Sequence, residues 1–414
     1  MANLELFIRV MIALIIIIIM AQILGRTIRF IGQPSVVGEM ISGVVLGPTV
    51  FGYLMPETSA FIFPKEIMSI LFVVSNLGLS IYMFLVGAEL DLNLFTKKTL
   101  KDATALSIAA ILVPFLLGGL AAYLYNDEIN KMNIDKVSLV IFLGTALAIT
   151  AFPMLARILQ EKNIVNTRIG ALSILSASIQ DVVSWILLGL VTVMCTTKQY
   201  SGVLVMVIGV AILIGILFYL VRPLLTKMAV KVLTFEDLTS VNFGIVVLLL
   251  FICALITDIL GLYSVFGGFI LGLSLPRKGF FIQAISMRIK DLTVLVFLPV
   301  FFAFSGLNTN ILNLFKVDLL IPTVMIFLFA FGSKYFSCMF TMRFISKFSW
   351  RESSAIGGLI NARGLMELII ANIGLSYGLI NGDLYSILVL IAVGSTLAAL
   401  PIYSLSIGKK GLIN

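Results

Sequence analysis

The chain contains no histidine, and only 12% of its 414 residues are charged. Soluble domains carry about 25% charged residues, so this composition excludes an ordinary soluble protein. Hydrophobic residues make up 60% of the sequence, and the mean hydropathy is +1.16. We therefore interpret the chain as an all-α integral membrane protein whose immediate surroundings are membrane lipid.

Other scarce features narrow this interpretation. Cys195, Cys253 and Cys338 lie far apart in apolar sequence, which predicts packing roles and neither a disulfide nor a metal site. The N-terminal segment lacks the basic region and cleavage site of a signal peptide, so we expect a retained first helix. The last apolar run ends near Leu405, and we expect no soluble regulatory domain.

Apolar runs between charged or Pro/Gly-rich breaks predict thirteen transmembrane helices. They cover roughly residues 6–24, 35–53, 67–88, 102–124, 138–159, 170–195, 202–221, 241–257, 261–275, 292–307, 319–341, 353–375 and 384–405. With the N-terminus outside, the inner loops hold most of the 28 lysines and arginines. This follows the positive-inside rule, predicts a cytoplasmic C-terminus, and explains the +8 net charge without nucleic acid as a partner.

Thirteen helices divide into two six-helix repeats, at about 6–195 and 241–405, joined by a linker helix at about 202–221. A single linker helix places the two repeats in opposite orientations. Inverted repeats of this kind are typical of secondary transporters, whose sites form where corresponding helices are broken near the membrane midplane. The arrangement predicts a transporter and not an enzyme.

Two helices at equivalent positions in the repeats carry signs of such a break. In the fifth, "TALAITAFPMLARIL" places Pro153 inside a helical run, which frees carbonyls near Ile149 and Thr150. In the twelfth, "SAIGGLINARGLMELII" places Gly357, Gly358 and Gly364 around Asn361 and Arg363. Proline and glycine also kink or pack intact membrane helices, and this remains the alternative.

Five ionisable residues fall inside the predicted spans: Glu39, Asp181, Glu367, Lys334 and Arg363. Such residues cost several kcal/mol when unpaired and usually mark an ion pathway. Asp181 is central, because it lies near mid-helix beside Gln180, on a face that also carries Ser176. A structural ion pair between Asp181 and Lys334 is the alternative.

The missing histidine limits how protons can be carried, since proton transport must then use a carboxylate, a lysine or water. Asp181 is the first candidate, with Lys334, Glu39 and Glu367 behind it. Carboxylate, amide, hydroxyl and carbonyl oxygens suit an alkali cation and not a soft transition metal. We expect no cofactor beyond the transported K⁺ or Na⁺ and H⁺.

The remaining charges have structural alternatives. Glu39 lies near the start of the second helix, where it could extend to the interface or contribute to the pathway. Arg363 and Glu367 are four residues apart, so we expect an ion pair that also supports the broken twelfth helix around Asn361.

The motifs together resemble the monovalent cation:proton antiporter-2 family, in the order found in that family and over about residues 26–376. The stretches that carry the resemblance are "QPSVVGEMISGVVLGP", "FLVGAELDL", "TALAITAFPMLARIL", the acidic motif of helix six, "FLPVFFAFSGLNTN" and "NARGLMELIIANIGL". The branch with plant cation/proton exchangers and their bacterial relatives is the most similar. By resemblance, we expect a bacterial inner (cell) membrane protein with a role in pH homeostasis.

The resemblance implies a homodimer with a dimerisation domain and a core domain, working by elevator-type alternating access. It also implies that helices five and twelve cross as unwound segments beside the acidic motif of helix six. Carried onto this sequence, the ion-binding carboxylate is Asp181, its neighbour is Gln180, the contact on the crossing helix is Thr150, and the helix-eleven base is Lys334.

The pair Gln180-Asp181 departs from the two adjacent aspartates of electrogenic members and from the Asn-Asp of many electroneutral ones. Glutathione-gated potassium efflux systems share Gln-Asp, which favours potassium, but they carry a nucleotide-binding domain. A separate soluble regulatory subunit is therefore a further alternative. One carboxylate predicts one-for-one electroneutral exchange unless Lys334 also releases a proton. A cation channel or uniporter, a sodium-coupled organic-anion transporter and a non-transporting sensor are the alternatives.

Overall fold

The computed structural model describes residues 3–89, 97–130, 134–165, 167–196, 200–234 and 237–408. Within these ranges the regular secondary structure is entirely helical. The helices are α1 (Asn3–Phe30), α2 (Ser35–Leu46), α3 (Phe51–Leu54), α4 (Pro56–Ile62), α5 (Lys65–Glu89), α6 (Lys97–Leu124), α7 (Asn126–Ile129), α8 (Lys136–Ala148), α9 (Phe152–Glu161), α10 (Arg168–Thr196), α11 (Tyr200–Ile216), α12 (Arg222–Ala229), α13 (Ser240–Ile259), α14 (Ser264–Ser274), α15 (Phe281–Leu292), α16 (Leu298–Leu307), α17 (Val317–Phe344), α18 (Trp350–Ile360), α19 (Leu365–Ser376) and α20 (Gly382–Ile407).

Short polar side chains begin several of these helices, because they satisfy backbone N–H groups that lack a partner within the helix. Asp135 accepts from the Ser138 amide at the start of α8, and Asn381 accepts from the Leu384 amide at the start of α20. At α18, Ser349 and Glu352 form a reciprocal capping box.

Among the described residues, ten helical runs are long and apolar enough to span a membrane. Two of them contain π-helical turns, Leu217–Val221 between α11 and α12 and Thr293–Phe297 between α15 and α16. The other three predicted spans correspond to the interrupted pairs α8–α9 and α18–α19 and to the short helix α14. The integral membrane character is thus evident, while the count of thirteen stays a prediction.

The chain divides into two compact units. The first, which we call the accessory unit, comprises Met1–Ile18, Phe61–Asp91 and Thr192–Phe304. The second, which we call the site unit, comprises Ile19–Ala60, Leu92–Val191 and Ser305–Asn414. The described free thiols, Cys253 and Cys338, are buried one in each unit, while the side chain of Cys195 lies outside the described residues.

Within the accessory unit, α5 and α14 approach each other at glycines. A Cβ at Gly268 would lie 2.3 Å from the Ser80 carbonyl oxygen, and one at Gly87 would lie 2.3 Å from that of Phe269. Helices in lipid associate through close packing because burial of apolar surface gives little driving force there.

Within the site unit, glycines from two of the sequence motifs meet. A Cβ at Gly306 would lie 1.9 Å from the carbonyl carbon of Gly43 on α2. The backbones of "ISGVVLGP" and "FSGLNTN" are therefore in direct contact. The two interrupted helices lie in this same unit.

Candidate ion-binding site

Both predicted helix breaks are present in the site unit. Residues 149–151 separate α8 from α9, and residues 361–364 separate α18 from α19. Pro153 takes the second position of α9, where a helix needs no N–H donor. Gly364 has φ +143°, a conformation that side-chain-bearing residues rarely adopt, and a Cβ there would lie 2.5 Å from Met154 Cε of α9. The second break thus lies directly against the helix that follows the first.

Two buried basic side chains bind the carbonyl end of α8. Lys334 Nζ on α17 donates to the carbonyl oxygens of Ala148 at 2.9 Å and Ile149 at 2.7 Å. Arg363 Nη2, in the second break, donates to the Leu147 carbonyl oxygen at 2.7 Å. The last carbonyls of a helix have no partner within it and carry partial negative charge, so cations are stabilised there.

Lys334 does not form the ion pair with Asp181 that the sequence left as an alternative. The sequence correctly indicated carbonyls freed near Ile149, but did not indicate that Lys334 binds them. A helix end offers a lysine an acceptor without any acidic residue.

Asp181 on α10 lies at the amide end of α9. Its Oδ1 accepts from the Phe152 backbone N–H at 3.3 Å, where the positive end of the helix dipole favours a carboxylate. The residue is 0% exposed. Its Oδ2 is buried and has no hydrogen-bond partner among the described residues. A buried carboxylate oxygen without a donor is a strong acceptor for a proton or a cation.

Gln180, Thr150 and Ser176 are linked beside Asp181. The Thr150 hydroxyl in the first break donates to Gln180 Oε1, and Gln180 Nε2 donates to Ser176 Oγ at 3.0 Å. Ser176 Oγ lies 3.0 Å from Ser107 Oγ on α6. The structure thus brings together the four residues predicted to bind the ion. Ser107 was missed, because a lone serine in an apolar helix gives almost no signal in sequence.

The supporting residues of the second break are also close. Arg363 Nη1 lies 3.3 Å from Glu367 Oε1, so the expected ion pair is present, with Arg363 in the break and Glu367 in the first turn of α19. Asn361 Nδ2 donates to the Gly357 carbonyl oxygen at 3.1 Å, which helps to end α18. The Thr396 hydroxyl on α20 donates to the Arg363 carbonyl oxygen at 2.7 Å and holds the unwound backbone.

Glu39 is buried and paired with a basic residue of α9. It is 8% exposed, and its two oxygens accept from Arg157 Nη2 at 2.7 Å and Nη1 at 3.2 Å. Arg157 lies five residues along α9 from Phe152, or about 7.5 Å at the rise of a helix. Glu39 therefore connects α2 to α9, and its side-chain contacts among the described residues are with Arg157 and not with the ion-binding residues.

We expect Glu39→Gln to lower the unfolding free energy by about 2 kcal/mol. The substitution removes the charge from a mostly buried pair of hydrogen bonds between the Arg157 guanidinium and the Glu39 carboxylate. Thermal unfolding in detergent measures the change. Glu89→Gln is the matched control, since Glu89 pairs with Lys290 at 2.9 Å but the two side chains are 37% and 50% exposed. That exposed pair should contribute at most about 1 kcal/mol. Equal effects of the two substitutions would contradict the assignment.

The ligands available at the first break are carboxylate, amide, hydroxyl and carbonyl oxygens. These hard oxygens suit an alkali cation. Over the described ranges, no three histidine, cysteine or acidic side chains come together in a transition-metal arrangement.

Comparison with known proteins gives concordant matches along almost the whole chain. The model of the transmembrane sodium/hydrogen exchanger family matches residues 10–403. The chain is 32% identical to Cation/H(+) antiporter 18 of Arabidopsis thaliana, over 94% of this chain and 48% of that protein. It therefore spans about half the length of that plant relative.

Two further matches extend over nearly the full length of both proteins. The chain is 31% identical to the Na(+)/H(+) antiporter NhaS4 of Synechocystis sp., over 94% of this chain and 95% of the relative. The structure of the sodium proton antiporter MjNhaP1 from Methanocaldococcus jannaschii has a TM-score of 0.65 at 17% identity, covers 98% of both chains, and shows a shared fold. The chain belongs to the transmembrane sodium/hydrogen exchanger family.

Proposed function

We propose that the chain exchanges a monovalent cation for a proton across the membrane, with Asp181 binding the two in turn. The observation that carries the proposal is the Oδ2 atom of Asp181, which is buried beside a helix break and has no hydrogen-bond partner among the described residues. A proton or a cation can each neutralise this carboxylate, but one excludes the other. That exclusion is the basis of antiport.

The cation is K⁺ or Na⁺, bound by Asp181 with Thr150 and the Gln180 amide oxygen. The relatives described above are named cation/H⁺ and Na⁺/H⁺ antiporters, and the Gln-Asp pair favours potassium by its resemblance to potassium efflux systems. Ser176 supports Gln180 and completes the set of binding residues.

The contacts of the other charges favour one-for-one, electroneutral exchange. Lys334 is held by two backbone carbonyls, so it does not need Asp181 as a counter-ion. Arg363 and Glu367 pair with each other. Oε2 of Glu367 also has no hydrogen-bond partner among the described residues, but Arg363 neutralises that carboxylate. Asp181 is then the group whose charge changes during the cycle.

We further propose a homodimer in a bacterial inner membrane, with the N-terminus outside and the C-terminus in the cytoplasm. The ion would cross by elevator-type alternating access, with the site unit carrying it. The two inverted repeats with their linker at about 202–221, and a separate soluble subunit that gates exchange, remain parts of the same proposal.

Everted vesicles containing the protein provide the test. Addition of K⁺, Na⁺ or another alkali cation, each in turn, should dissipate a preformed pH gradient, and the ranking gives the selectivity. With the membrane potential clamped at several values, the initial rate should stay constant if exchange is one-for-one. A gradient that no alkali cation dissipates would refute cation/proton exchange, and a rate that follows voltage would implicate a second titrating group.

A further inference from the structure

A serine outside the predicted site lies at the end of a hydrogen-bond chain that begins at Thr150. The chain runs from Thr150 through the Gln180 amide and the Ser176 hydroxyl to Ser107. All four residues lie in the site unit and are at most 2% exposed. Because these four side chains are buried, their protein neighbours set the direction in which each group donates.

The direction is decided at Ser107. Its hydroxyl can donate to the Ala103 carbonyl oxygen of its own helix at 2.7 Å, or to the Ser176 carbonyl oxygen at 3.0 Å. A hydroxyl has one proton, and a carbonyl can only accept. These two carbonyl acceptors favour a Ser107 hydroxyl that gives its proton to the backbone, so that its oxygen accepts the proton of the Ser176 hydroxyl.

With its proton committed to Ser107, Ser176 can only accept from Gln180. The NH₂ end of the amide therefore faces Ser176, and the carbonyl oxygen faces Thr150 and the first break. The opposite orientation would place two N–H donors where a cation needs an oxygen. We infer that Ser107 is a positioning residue for cation binding, because through Ser176 it holds the Gln180 oxygen toward the ion.

This inference rests on the proposed exchange and concerns the affinity of the site for the cation. Without Ser107, the Ser176 hydroxyl is released and can donate to Gln180, which allows the amide to turn. Ser107→Ala should therefore raise the KM for K⁺ and Na⁺ by about three- to tenfold, the effect of losing one hydrogen bond. The maximal rate should stay within about twofold of wild type.

Ser178→Ala is the matched control. Ser178 is a buried serine on the same helix as Ser176, and within the described part of the chain its hydroxyl donates only to the Ile174 carbonyl oxygen of its own helix, at 2.8 Å. Its substitution should leave KM unchanged. Ser107→Thr keeps a hydroxyl and should restore most of the affinity.

A double-mutant cycle separates positioning from general stability. In a Gln180→Ala background, Ser107→Ala should cause no further rise in KM, because no amide remains to be oriented. Ser176→Ala breaks the same chain at another point, so its effect and that of Ser107→Ala should not add. The Gln180→Ala and Ser176→Ala experiments are independent, so the inference can be tested even if one of these variants folds poorly.

The measurements distinguish a failure of the proposed exchange from a failure of the positioning role of Ser107. Absence of cation-driven proton flux in the wild type would refute the exchange itself. Normal flux with an unchanged KM in Ser107→Ala, or an equal rise in the Gln180→Ala background, would refute only the positioning role.

Discussion

Asp181→Asn should reduce cation-driven proton flux to the level of vesicles without protein, while the variant still folds. Asparagine keeps the shape of the side chain and an oxygen for the Phe152 N–H. It removes the carboxylate that a proton or cation would neutralise, and a neutral amide costs less to bury than a charge. Flux is measured by recovery of a pH-sensitive dye after addition of K⁺ or Na⁺.

The same variant should lose any cation-dependent rise in the unfolding temperature, since a ligand stabilises only a protein that binds it. Asp318→Asn is the control, because Asp318 is an exposed acid in the first turn of α17. It should retain both flux and thermal response. Cation-dependent flux that survives Asp181→Asn would remove Asp181 from the site.

Gly364→Ala should lower the transport rate more than tenfold and destabilise the site unit. An alanine at φ +143° costs about 1–3 kcal/mol in backbone strain. Its Cβ would also lie 2.5 Å from Met154 Cε, the far end of a flexible side chain, which must then shift. The next residue back is Arg363, so any shift of this backbone moves the guanidinium that binds the end of α8.

Two further variants separate these causes. Gly382→Ala is the control, because a Cβ there meets nothing within 4 Å and its φ is not positive. Adding Met154→Ala to Gly364→Ala should relieve the contact but not the strain, and so recover only part of the activity. Wild-type rates and unfolding temperature in Gly364→Ala would show that the break tolerates an ordinary residue.

The breaks were visible in the sequence because their cause is local. Pro153 cannot donate a backbone hydrogen bond, and a cluster of glycines weakens a helix wherever it lies. Asp181 was visible because an acid in an apolar run has few explanations. In both cases the residue type alone restricts the structure.

The partners were less visible because they lie far along the chain. Glu39 and Arg157 are 118 residues apart, and nothing in the sequence links them. Lys334 could be matched to acids by charge, but its actual acceptors are carbonyls, which every residue possesses. Ser107 gains its role from one neighbouring hydroxyl, Ser176, 69 positions away.

The unpaired Oδ2 of Asp181 has a consequence for uncoupled transport, in which the site crosses the membrane without a proton or a cation. In the proposed exchange, the site with a proton and the site with K⁺ or Na⁺ have the same net charge, while the unloaded site has one extra negative charge. A charged group at mid-bilayer costs about 3 kcal/mol on insertion scales, on the order of a hundredfold in population. Without a bound ion, the protein would thus rarely change between its outward-facing and inward-facing states. The proton and cation gradients would then stay coupled without a separate structural element that blocks this change.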